Sequence, residues 1–280
     1  MARRRKLMTF IKAAILWLLS ILVFVPLLII VFNSFKTQGE SVSMEFSLPT
    51  EWVAANYAEV METVDIFQAF FNSLVVSVAT VLIATTGAAL ASYVMARRRT
   101  RLHRFAYLFF LVGLVAPLNM VPAVLVLQKL HLMNSLLGLT LLYSALVTPF
   151  TVFLYYGFIS TVPREIDEAA IIDGSGPITL FGRVIFPLLK PVTVTVVILN
   201  FMNAWNDFIT PFYVINESDK MPLTTMVYSF FGQFQRSWNL VCVIMVMIIV
   251  PINCLCVWTE IYNCRHDCGS CQRIAQVIIE

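Results

Sequence analysis

Charged residues are scarce in this chain of 280 residues, where they make up 12% against 59% hydrophobic residues. A soluble domain cannot bury so large an apolar fraction in one core, so the composition indicates an all-α polytopic membrane protein. Catalytic signatures are missing as well, since there is no Walker-type phosphate loop, no His-Glu-x-x-His motif and no nucleophile beside a base. We therefore expect a protein that is not an enzyme, with no catalytic residue, no cofactor, no metal and no nucleic-acid partner.

Cysteine is rare outside the C-terminal tail, because five of the six cysteines lie from Cys254 onward and the other is Cys242. A disulfide framework is not distributed in this way. In the tail, Cys264, Cys268 and Cys271 have the spacing of a radical iron–sulfur site, and His266 beside them suits zinc. No domain surrounds these residues, so neither metal site is favoured.

Long apolar runs define the predicted fold. A membrane-spanning helix needs about 20 apolar residues. Six stretches qualify, approximately Met8–Phe32, Phe71–Met95, Phe105–Gln128, Leu136–Ile159, Leu188–Ile215 and Leu240–Val257. Pro117 and Pro122 predict a kink in the third span, which serves packing or lines a cavity, and the fourth span contains Pro149. The first run follows a basic start, but it is too long for a signal peptide and lacks a cleavage site, so we interpret it as an uncleaved span.

Basic residues are distributed unequally between the two sides of these spans. One side collects Arg3 to Lys6, the arginines from Arg97 to Arg104, Arg164, Arg183 and Lys190, whereas the other has Lys36, Lys129, Lys220 and Arg236. The positive-inside rule makes the richer side cytoplasmic. Both termini and the loop around Glu168 are therefore predicted inside. The acidic segment after span one, with a short helix predicted over Trp52–Met61, and the loop from Asn216 to Asn239 are predicted outside.

Ionisable side chains are nearly absent from the interior of the spans, with Lys12 near the cytoplasmic end of span one and Asp207 towards the outside in span five. A proton-coupled carrier normally needs more of them. The energy for any transport is therefore expected from another polypeptide.

Span five carries a polar run that suits a sugar. Asn203, Asn206 and Asp207 are spaced i, i+3 and i+4 and share one helix face, while Trp205 points elsewhere. Amides, a carboxylate and aromatic rings fit a polyhydroxylated ligand. Hydrogen bonding between helices explains the two asparagines equally well, and Asp207 fits the outer mouth or a structural contact. Asn119 lies between the two prolines of span three and is a further candidate. The predicted substrate-path residues are thus Asn119, Asn203, Trp205, Asn206 and Asp207.

A polar stretch at residues 162–191 separates spans four and five. Pro163 is predicted as the first residue of a helix that Gly174 ends, and acidic residues near its start favour the helix dipole. Pro177 is predicted to begin a second short helix, which Pro187 ends. One face of the first helix collects residues at three- and four-residue spacing, as a docking helix requires. They are Ile166, Ala169, Ala170 and Asp173. An ordinary amphipathic loop is the alternative.

The same stretch resembles the EAA loop of binding-protein-dependent ABC importer permeases, most closely the shorter, maltose-type permeases of carbohydrate importers. The matching positions are Glu168-Ala169-Ala170, Asp173-Gly174, Phe181, Ile185, Pro187 and Lys190-Pro191. Ser175 and Phe186 replace the commoner Ala and Leu. Supporting matches are Asn72-Ser73, Ala91-Ser92-Tyr93 and Trp205-Asn206-Asp207-Phe208, so the resemblance covers roughly residues 1–250.

The resemblance implies a type I ABC importer permease fold, with six transmembrane helices and a cytoplasmic EAA coupling helix, in a bacterial plasma membrane. The ATPase-coupling residues that it implies are Glu165, Glu168, Ala169, Ala170, Asp173, Gly174, Phe181, Ile185 and Pro187. The implied partners are a second permease subunit in a heterodimer, two ABC ATPase subunits and an extracellular sugar-binding protein. The loop that would enter the binding protein's cleft comprises Asn216, Glu217, Ser218, Asp219 and Lys220.

Three segments are expected: an N-terminal span with its extracytoplasmic segment at 1–70, a core permease domain at 71–258 and an aberrant tail at 259–280. The resemblance stops after Pro251. Shifting the back-translated residues Cys256 to Arg273 by one base gives a string that resembles the family's usual C-terminus. We interpret the tail as a reading-frame error, which sequencing of codons 250 to 260 tests.

The implied function is import of a sugar or oligosaccharide. The alternatives are an ABC permease for another solute, such as glycerol phosphate, and an ATP-independent secondary carrier. Loss of ATPase association on Gly174→Asp or Glu168→Lys is expected for an ABC permease and not for a secondary carrier.

Overall fold

The computed structural model describes residues 2–98, 100–116, 119–230 and 237–249, and in these ranges the chain is helical with no strand. The first seven α-helices along the chain are α1 Ala2–Ser34, α2 Gln38–Ser41, α3 Ala55–Thr63, α4 Ile66–Arg97, α5 Arg101–Val115, α6 Met120–Lys129 and α7 Leu136–Thr161. They continue as α8 Glu165–Ile172, α9 Pro177–Thr179, α10 Phe186–Leu188, α11 Lys190–Asn206, α12 Ile209–Val214, α13 Leu223–Met226 and α14 Trp238–Ile249. A π-helical segment spans Leu180–Ile185, and 3-10 turns span Ser218–Lys220 and Val227–Phe230. Pro117, Arg236 and the cysteine-rich tail, with its metal-site and reading-frame hypotheses, lie outside the described residues.

The chain divides into two compact units, of which the first comprises Met1–Ile66 and Leu223–Pro251. Its polar centre lies where α1 ends. The Asn56 amide donates to the carbonyls of Ser34 and Lys36, each at 2.9 Å, and the amide of Asn239 donates to Asn56 Oδ1 at 3.1 Å. Buried Lys36 donates to the Glu45 carbonyl at 2.9 Å and to the Ser47 hydroxyl at 3.0 Å. The short helix predicted over Trp52–Met61 is α3, which begins three residues later than predicted and ends at Thr63.

The second unit comprises Phe67–Pro222 and Ile252–Glu280. Its two long helices, α4 and α7, coincide with predicted spans two and four and are each long and apolar enough to cross a membrane. Alanines and hydroxyl side chains form most of the buried stripe of α4, which suits close packing between helices in lipid. The Ser92 hydroxyl donates across to the Val152 carbonyl at 3.2 Å, and Ala88 and Ala89 join Tyr155 and Ile159 of α7 in one apolar core.

Spans three and five are each divided into two helices. For span three this differs from the single kinked helix that its prolines predict. The axes of α5 and α6 differ by 119°. Asn119 caps α6, because its side chain accepts from the Val121 amide at 3.2 Å, and Pro122 then falls in the first turn, where its missing N–H costs nothing. Span five breaks after Asn206 and resumes as α12.

Pro149, within α7, lies against α5. Its ring carbon Cγ is 3.4 Å from the position that a Cβ on Gly113 would occupy. Among the described residues, two single helices and up to two bent pairs have the length and composition of membrane spans, and α14 is a shorter apolar helix that ends at Ile249. The predicted remainder of span six, to Val257, lies outside the described residues.

Candidate functional site

Helix α8 lies in the stretch that resembles the EAA loop, and its C-terminal end is fixed by backbone hydrogen bonds. Gly174 has φ +79°, in the left-handed region that favours glycine. The Ser175 amide donates to the Ala170 carbonyl and the Gly174 amide donates to the Ile171 carbonyl, both at 3.0 Å. This pair of bonds is a Schellman motif. The predicted stop at Gly174 is therefore confirmed.

The start of α8 differs from the prediction. Pro163 lies two residues before the helix, and Arg164 occupies the N-cap position. Val162, the C-cap of α7, is extended with ψ 123°, which is the conformation that a residue preceding proline prefers. Val162 to Arg164 therefore form the short non-helical connection between α7 and α8.

The predicted docking face of α8 is also corrected. Ala170 is buried and Ile166 half-buried, whereas Ala169 and Asp173 are exposed. The inward face is instead defined by Asp167 and Ala170, which are each 8% exposed and three residues apart. Outward-facing residues are Glu165, Glu168, Ala169, Ile171, Ile172 and Asp173.

The nine predicted coupling residues divide by burial into two groups. Six are exposed: Glu165, Glu168, Ala169, Asp173, Gly174 and Pro187. Ala170 and Ile185 are buried and Phe181 is half-buried, and these three belong to the apolar core that supports α8. The exposed apolar surface nearby comes from Ile171, Ile172 and Ile178, whose exposures are 59%, 85% and 88%.

A largely buried ion pair holds the inward face of α8 to α4. Arg97 Nη2 donates to Asp167 Oδ1 at 3.2 Å, and Arg97 Nε lies 2.6 Å from Asp167 Oδ2 without the alignment of a hydrogen bond. Arg97 Nη1 donates to the Val162 carbonyl at 3.0 Å. One guanidinium thus connects the last residue of α4, the end of α7 and the first turn of α8.

The sequence analysis missed this pair. Arg97 was counted only as a topology signal, and Asp167 only as one of several acids near a helix start. A signal was present, since Asp167 falls on the same side of α8 as Ile166 and Ala170, and an acid on an apolar face needs a cation.

Downstream of α8, aromatic rings pack the chain onto α4. The Tyr93 ring lies 5.5 Å from the Phe181 ring, and the Phe181 ring lies 5.9 Å from the Phe186 ring. Pro177 begins α9, as predicted. Pro187 does not end its helix, because α10 continues to Leu188 and the chain then bends by 79° into α11.

A cleft of about 450 Å³ opens beside the ion pair. It is lined mainly by Arg97, Tyr156, Thr161, Arg164 and Glu165. The Tyr156 ring stacks on Tyr107 of α5 at 3.8 Å. The lining is polar and carries both signs of charge.

At the other end of α4, two asparagines hold the loop that follows α12. Asn134, at φ +56°, accepts from the amides of Asn216 and Glu217 through Oδ1, both at 3.1 Å. Asn72 is 1% exposed and donates to the carbonyls of Asp219, at 2.8 Å, and Met221, at 3.3 Å. The backbone of the loop is therefore fixed from two sides.

Most side chains of this loop are exposed. Asn216, Glu217, Ser218 and Asp219 are exposed, and Lys220 pairs with Glu217 at 2.6 Å. The hydrogen bond between the two charged groups lowers the pKa of the Glu217 carboxyl and raises the pKa of the Lys220 ammonium. The pair is thus formed from both groups in their charged states.

The polar run of span five is only partly on one face. Asn203 and Asn206 are exposed on α11. Asp207 lies beyond the helix, where Oδ1 accepts from the Ile209 amide at 2.9 Å and so helps to begin α12. Trp205 is 2% exposed and packs between Phe70 and Phe201, with ring centroids at 5.6 and 5.4 Å.

Asn200, which the sequence analysis did not single out, is buried and bonds to the Thr151 hydroxyl at 3.0 Å. In the part of the chain that the structure describes, no group of three or more potential metal-ligating side chains comes together.

More than half of the chain matches a known protein family. Residues 87–262 match the family described as the binding-protein-dependent transport system inner membrane component. The match runs past Pro251, so the resemblance continues farther along the chain than we expected.

Two curated relatives cover most of the chain. The probable starch degradation products transport system permease protein AmyC of Thermoanaerobacterium thermosulfurigenes is 33% identical over 236 residues, which are 84% of this chain and 86% of that protein. The diacetylchitobiose uptake system permease protein NgcG of Streptomyces coelicolor is 38% identical over 216 residues, covering 76% and 72% of the two chains.

A solved structure shares the fold. It is the crystal structure of a bacterial ABC transporter involved in the import of the acidic polysaccharide alginate. The TM-score is 0.79 at 18% identity, over 92% of this chain and 96% of that chain.

Proposed function

The chain belongs to the family of binding-protein-dependent transport system inner membrane components, and on that premise we propose that it is the permease subunit of an ATP-driven importer of sugars or oligosaccharides. Members of this family are membrane components of transport systems and not enzymes. ATP would be hydrolysed by separate ATPase subunits, and the solute would be delivered by an extracellular binding protein. The two curated relatives are named for transport of starch degradation products and diacetylchitobiose, which supports a carbohydrate as the solute.

The observation that carries the proposal is the exposed face of α8. Its backbone ends are fixed within the chain, yet Ile172 is 85% exposed and Ile171 is 59% exposed. Exposed apolar side chains beside acidic ones are typical of protein interaction sites. We assign this face to an ABC ATPase subunit, with Glu168, Ala169, Asp173 and Gly174 at the contact.

The proposed topology has six spans with both termini cytoplasmic. The helices from α1 to α14 supply the spans, two of them as bent pairs. The excess of arginine and lysine on the side of α8 supports a cytoplasmic position for it. A second permease subunit would complete the membrane domain, and two ATPases would bind its inner side.

The loop from Asn216 to Lys220 is proposed to contact the binding protein. Asn72 and Asn134 fix its backbone, so binding would cost little further ordering of the main chain. Asn203 and Asn206 on α11 and Asn119 before α6 are proposed for the substrate path, together with Asp207. Trp205 would support this path from behind, because it is buried.

The test measures the ATPase activity of an importer reconstituted in nanodiscs. The importer is assembled from this chain with the partner permease, ABC ATPase and solute-binding protein of the same genome. We expect ATPase activity to rise several-fold with binding protein loaded with maltotriose or diacetylchitobiose. Glu168→Lys is expected to remove the ATPase from the purified complex. Glu51→Lys, the same change on an exposed outer residue, is the matched control and should keep it.

Two outcomes would overturn the proposal. If no ATPase co-purifies with the unmodified chain, the assignment to an ABC importer fails. If ATPase activity responds to glycerol 3-phosphate and to neither saccharide, the solute class is wrong.

A further inference from the structure

The cleft beside the Arg97–Asp167 ion pair has no role in the proposed function. Its volume is about 450 Å³, and its walls come from the ends of α4 and α7 and from the first residues of α8. Arg97, Thr161 and Arg164 bring hydrogen-bond donors to the cleft, and Glu165 brings a carboxylate. The cleft therefore suits a ligand that carries both an anionic group and hydrogen-bond donors.

Arg164 is the cation in the cleft that can bind an anion. In the described part of the chain its guanidinium makes one long hydrogen bond, from Nη2 to the Arg97 carbonyl at 3.5 Å, which leaves most of its N–H groups for a ligand. Its side chain is exposed, and no carboxylate of the described residues lies within ion-pair distance of it. Arg97, in contrast, is paired with Asp167. Arg164 can therefore hold a phosphate through two parallel N–H groups.

Neighbouring residues add positive charge around the cleft. Arg98 follows Arg97 directly after α4 and is exposed. Arg104 is also exposed and lies three residues before Tyr107, on the same side of α5. Tyr107 stacks on Tyr156, which lines the cleft. Because arginines outnumber carboxylates here, the local field favours a ligand with a net negative charge.

The position of the cleft along the helices corresponds to a membrane surface. α4 and α7 are each long and apolar enough to cross a membrane, and their last residues, Arg97 and Thr161, both line the cleft. Aromatic rings and arginines at the ends of spanning helices mark the level of lipid headgroups. With the orientation proposed above, this is the cytoplasmic leaflet. Basic pockets between spanning helices on that side bind the headgroups of anionic lipids.

An open groove leads from the cleft along α7. Phe153, Gly157 and Ser160 follow one another at four- and three-residue spacing, so they share one face of the helix beside Tyr156. All three are exposed, and a Cβ on Gly157 would meet nothing within 4 Å. The absent side chain leaves a depression between the Phe153 ring and Ser160, which itself lines the cleft. An acyl chain fits this depression with its headgroup directed towards the cleft.

We propose that the cleft binds phosphatidylglycerol, an anionic membrane phospholipid, with its phosphate on Arg164, its glycerol hydroxyls on Glu165 and Thr161, and one acyl chain over Gly157. A guanidinium binds phosphate in bidentate geometry, and the hydroxyls donate to the carboxylate. Phosphatidylcholine has no headgroup donor for Glu165, and phosphatidylethanolamine has no net negative charge. The site requires the membrane setting of the chain and does not depend on the ATPase contact of α8.

The test measures lipid binding to the purified full-length chain, with any subunits that co-purify, by native mass spectrometry. The protein is stripped of lipid in detergent and titrated with phosphatidylglycerol, phosphatidylethanolamine and phosphatidylcholine of equal chain length. We expect phosphatidylglycerol to bind about fivefold more tightly than the other two lipids. Arg164→Gln is expected to weaken its binding roughly tenfold, because a charge-assisted bidentate contact is lost.

A second variant tests the acyl-chain contact. Gly157→Leu fills the depression beside Phe153, and the open space at this position lets the variant fold. We expect phosphatidylglycerol to bind about fourfold more weakly, the effect of one methylene group that is no longer buried. Inorganic phosphate and deacylated phosphatidylglycerol are added as competitors and should not displace the lipid at equal concentration. Displacement by either would identify a site for a soluble phosphate and overturn the proposal.

Arg183→Gln is the matched control, because Arg183 is an exposed arginine of the same polar stretch that does not line the cleft. It should bind phosphatidylglycerol as the unmodified chain does. Equal losses in Arg164→Gln and Arg183→Gln, or equal affinity for the three lipids, would overturn the site. Either result leaves the proposed importer function intact, since lipid binding and ATPase co-purification are measured separately.

Discussion

At the scale of single residues, Arg97 and Asp167 define the geometry of α8. A buried carboxylate is costly unless a cation and hydrogen bonds compensate it, and removing one partner of such a pair typically costs about 3–5 kcal/mol. Asp167 also lies in the first turn of α8, where the helix dipole favours a negative charge. The pair therefore fixes both the position and the direction of this helix.

Gly174 offers a clear prediction at the same scale. An L-residue at φ +79° is strained by about 1–2 kcal/mol, while nothing lies within 4 Å of an added Cβ. Gly174→Ala should therefore lower the stability of the purified chain by this amount through conformation alone. The measurement is the midpoint of thermal unfolding in detergent.

Gly176 is the matched control for this change. Its φ is −72°, and an added Cβ also meets nothing within 4 Å, so Gly176→Ala should leave the midpoint unchanged or raise it slightly. Equal losses for the two variants would contradict the explanation from the positive φ.

Several residue roles could be predicted from sequence and others could not. Gly174 was predictable because local backbone chemistry alone ends the helix. Arg97 was not, because three arginines follow one another and only the tertiary fold selects which one reaches Asp167. Asn72 was recognised as part of a matching motif, but its bond to residues 219 and 221 depends on a segment far along the chain.

At the scale of secondary-structure elements, continuous apolar runs predicted α4 and α7 well. Spans three and five were less predictable, because hydropathy counts residues without reporting where the backbone turns. Because α11 ends at Asn206, the Asp207 carboxylate accepts a hydrogen bond from the Ile209 amide. Asp207 therefore does not share a helix face with Asn203 and Asn206, contrary to the prediction from the sequence spacing. The prediction from the i, i+3, i+4 spacing required an unbroken helix through residues 203–207.

Helix α7 provides a prediction about how an element begins. Ser135 caps it by accepting from the Gly138 amide at 3.0 Å, and a Cβ on Gly138 would lie 2.0 Å from the Leu132 carbonyl oxygen. Gly138→Ala should therefore displace the turn before α7 and cost about 1–3 kcal/mol. The yield of folded chain and its unfolding midpoint are the measurements.

Gly157 is the comparison within the same helix. An added Cβ there meets nothing within 4 Å, so Gly157→Ala should gain from helix propensity by about 0.5–1 kcal/mol. A loss of stability at Gly157 equal to that at Gly138 would show that the close contact with Leu132 is not the cause.

At the scale of the whole molecule, the proposed orientation can be tested by labelling from each side. Ile172 and Ser218 are both exposed and lie in loops assigned to opposite sides. In a background without the native cysteines, Ser218→Cys should react with a membrane-impermeant maleimide in intact, right-side-out vesicles. Ile172→Cys should react only in inverted vesicles.

Labelling of both positions from one side would contradict the positive-inside assignment. Labelling of Ser218→Cys in inverted vesicles alone would reverse it. The proposed orientation rests on the distribution of arginine and lysine, which the sequence records directly.

The Schellman end of α8 has an evolutionary consequence. Main-chain bonds and one glycine set the shape of the turn, and the inward ion pair sets the position of the helix, so the outward side chains beyond the first turn contribute little to folding. Substitutions at Ala169 or Ile172 can then accumulate with little cost to folding. With the proposed ATPase contact on this face, a permease of this kind could adapt to a different ATPase by changing a few surface residues on an unchanged scaffold.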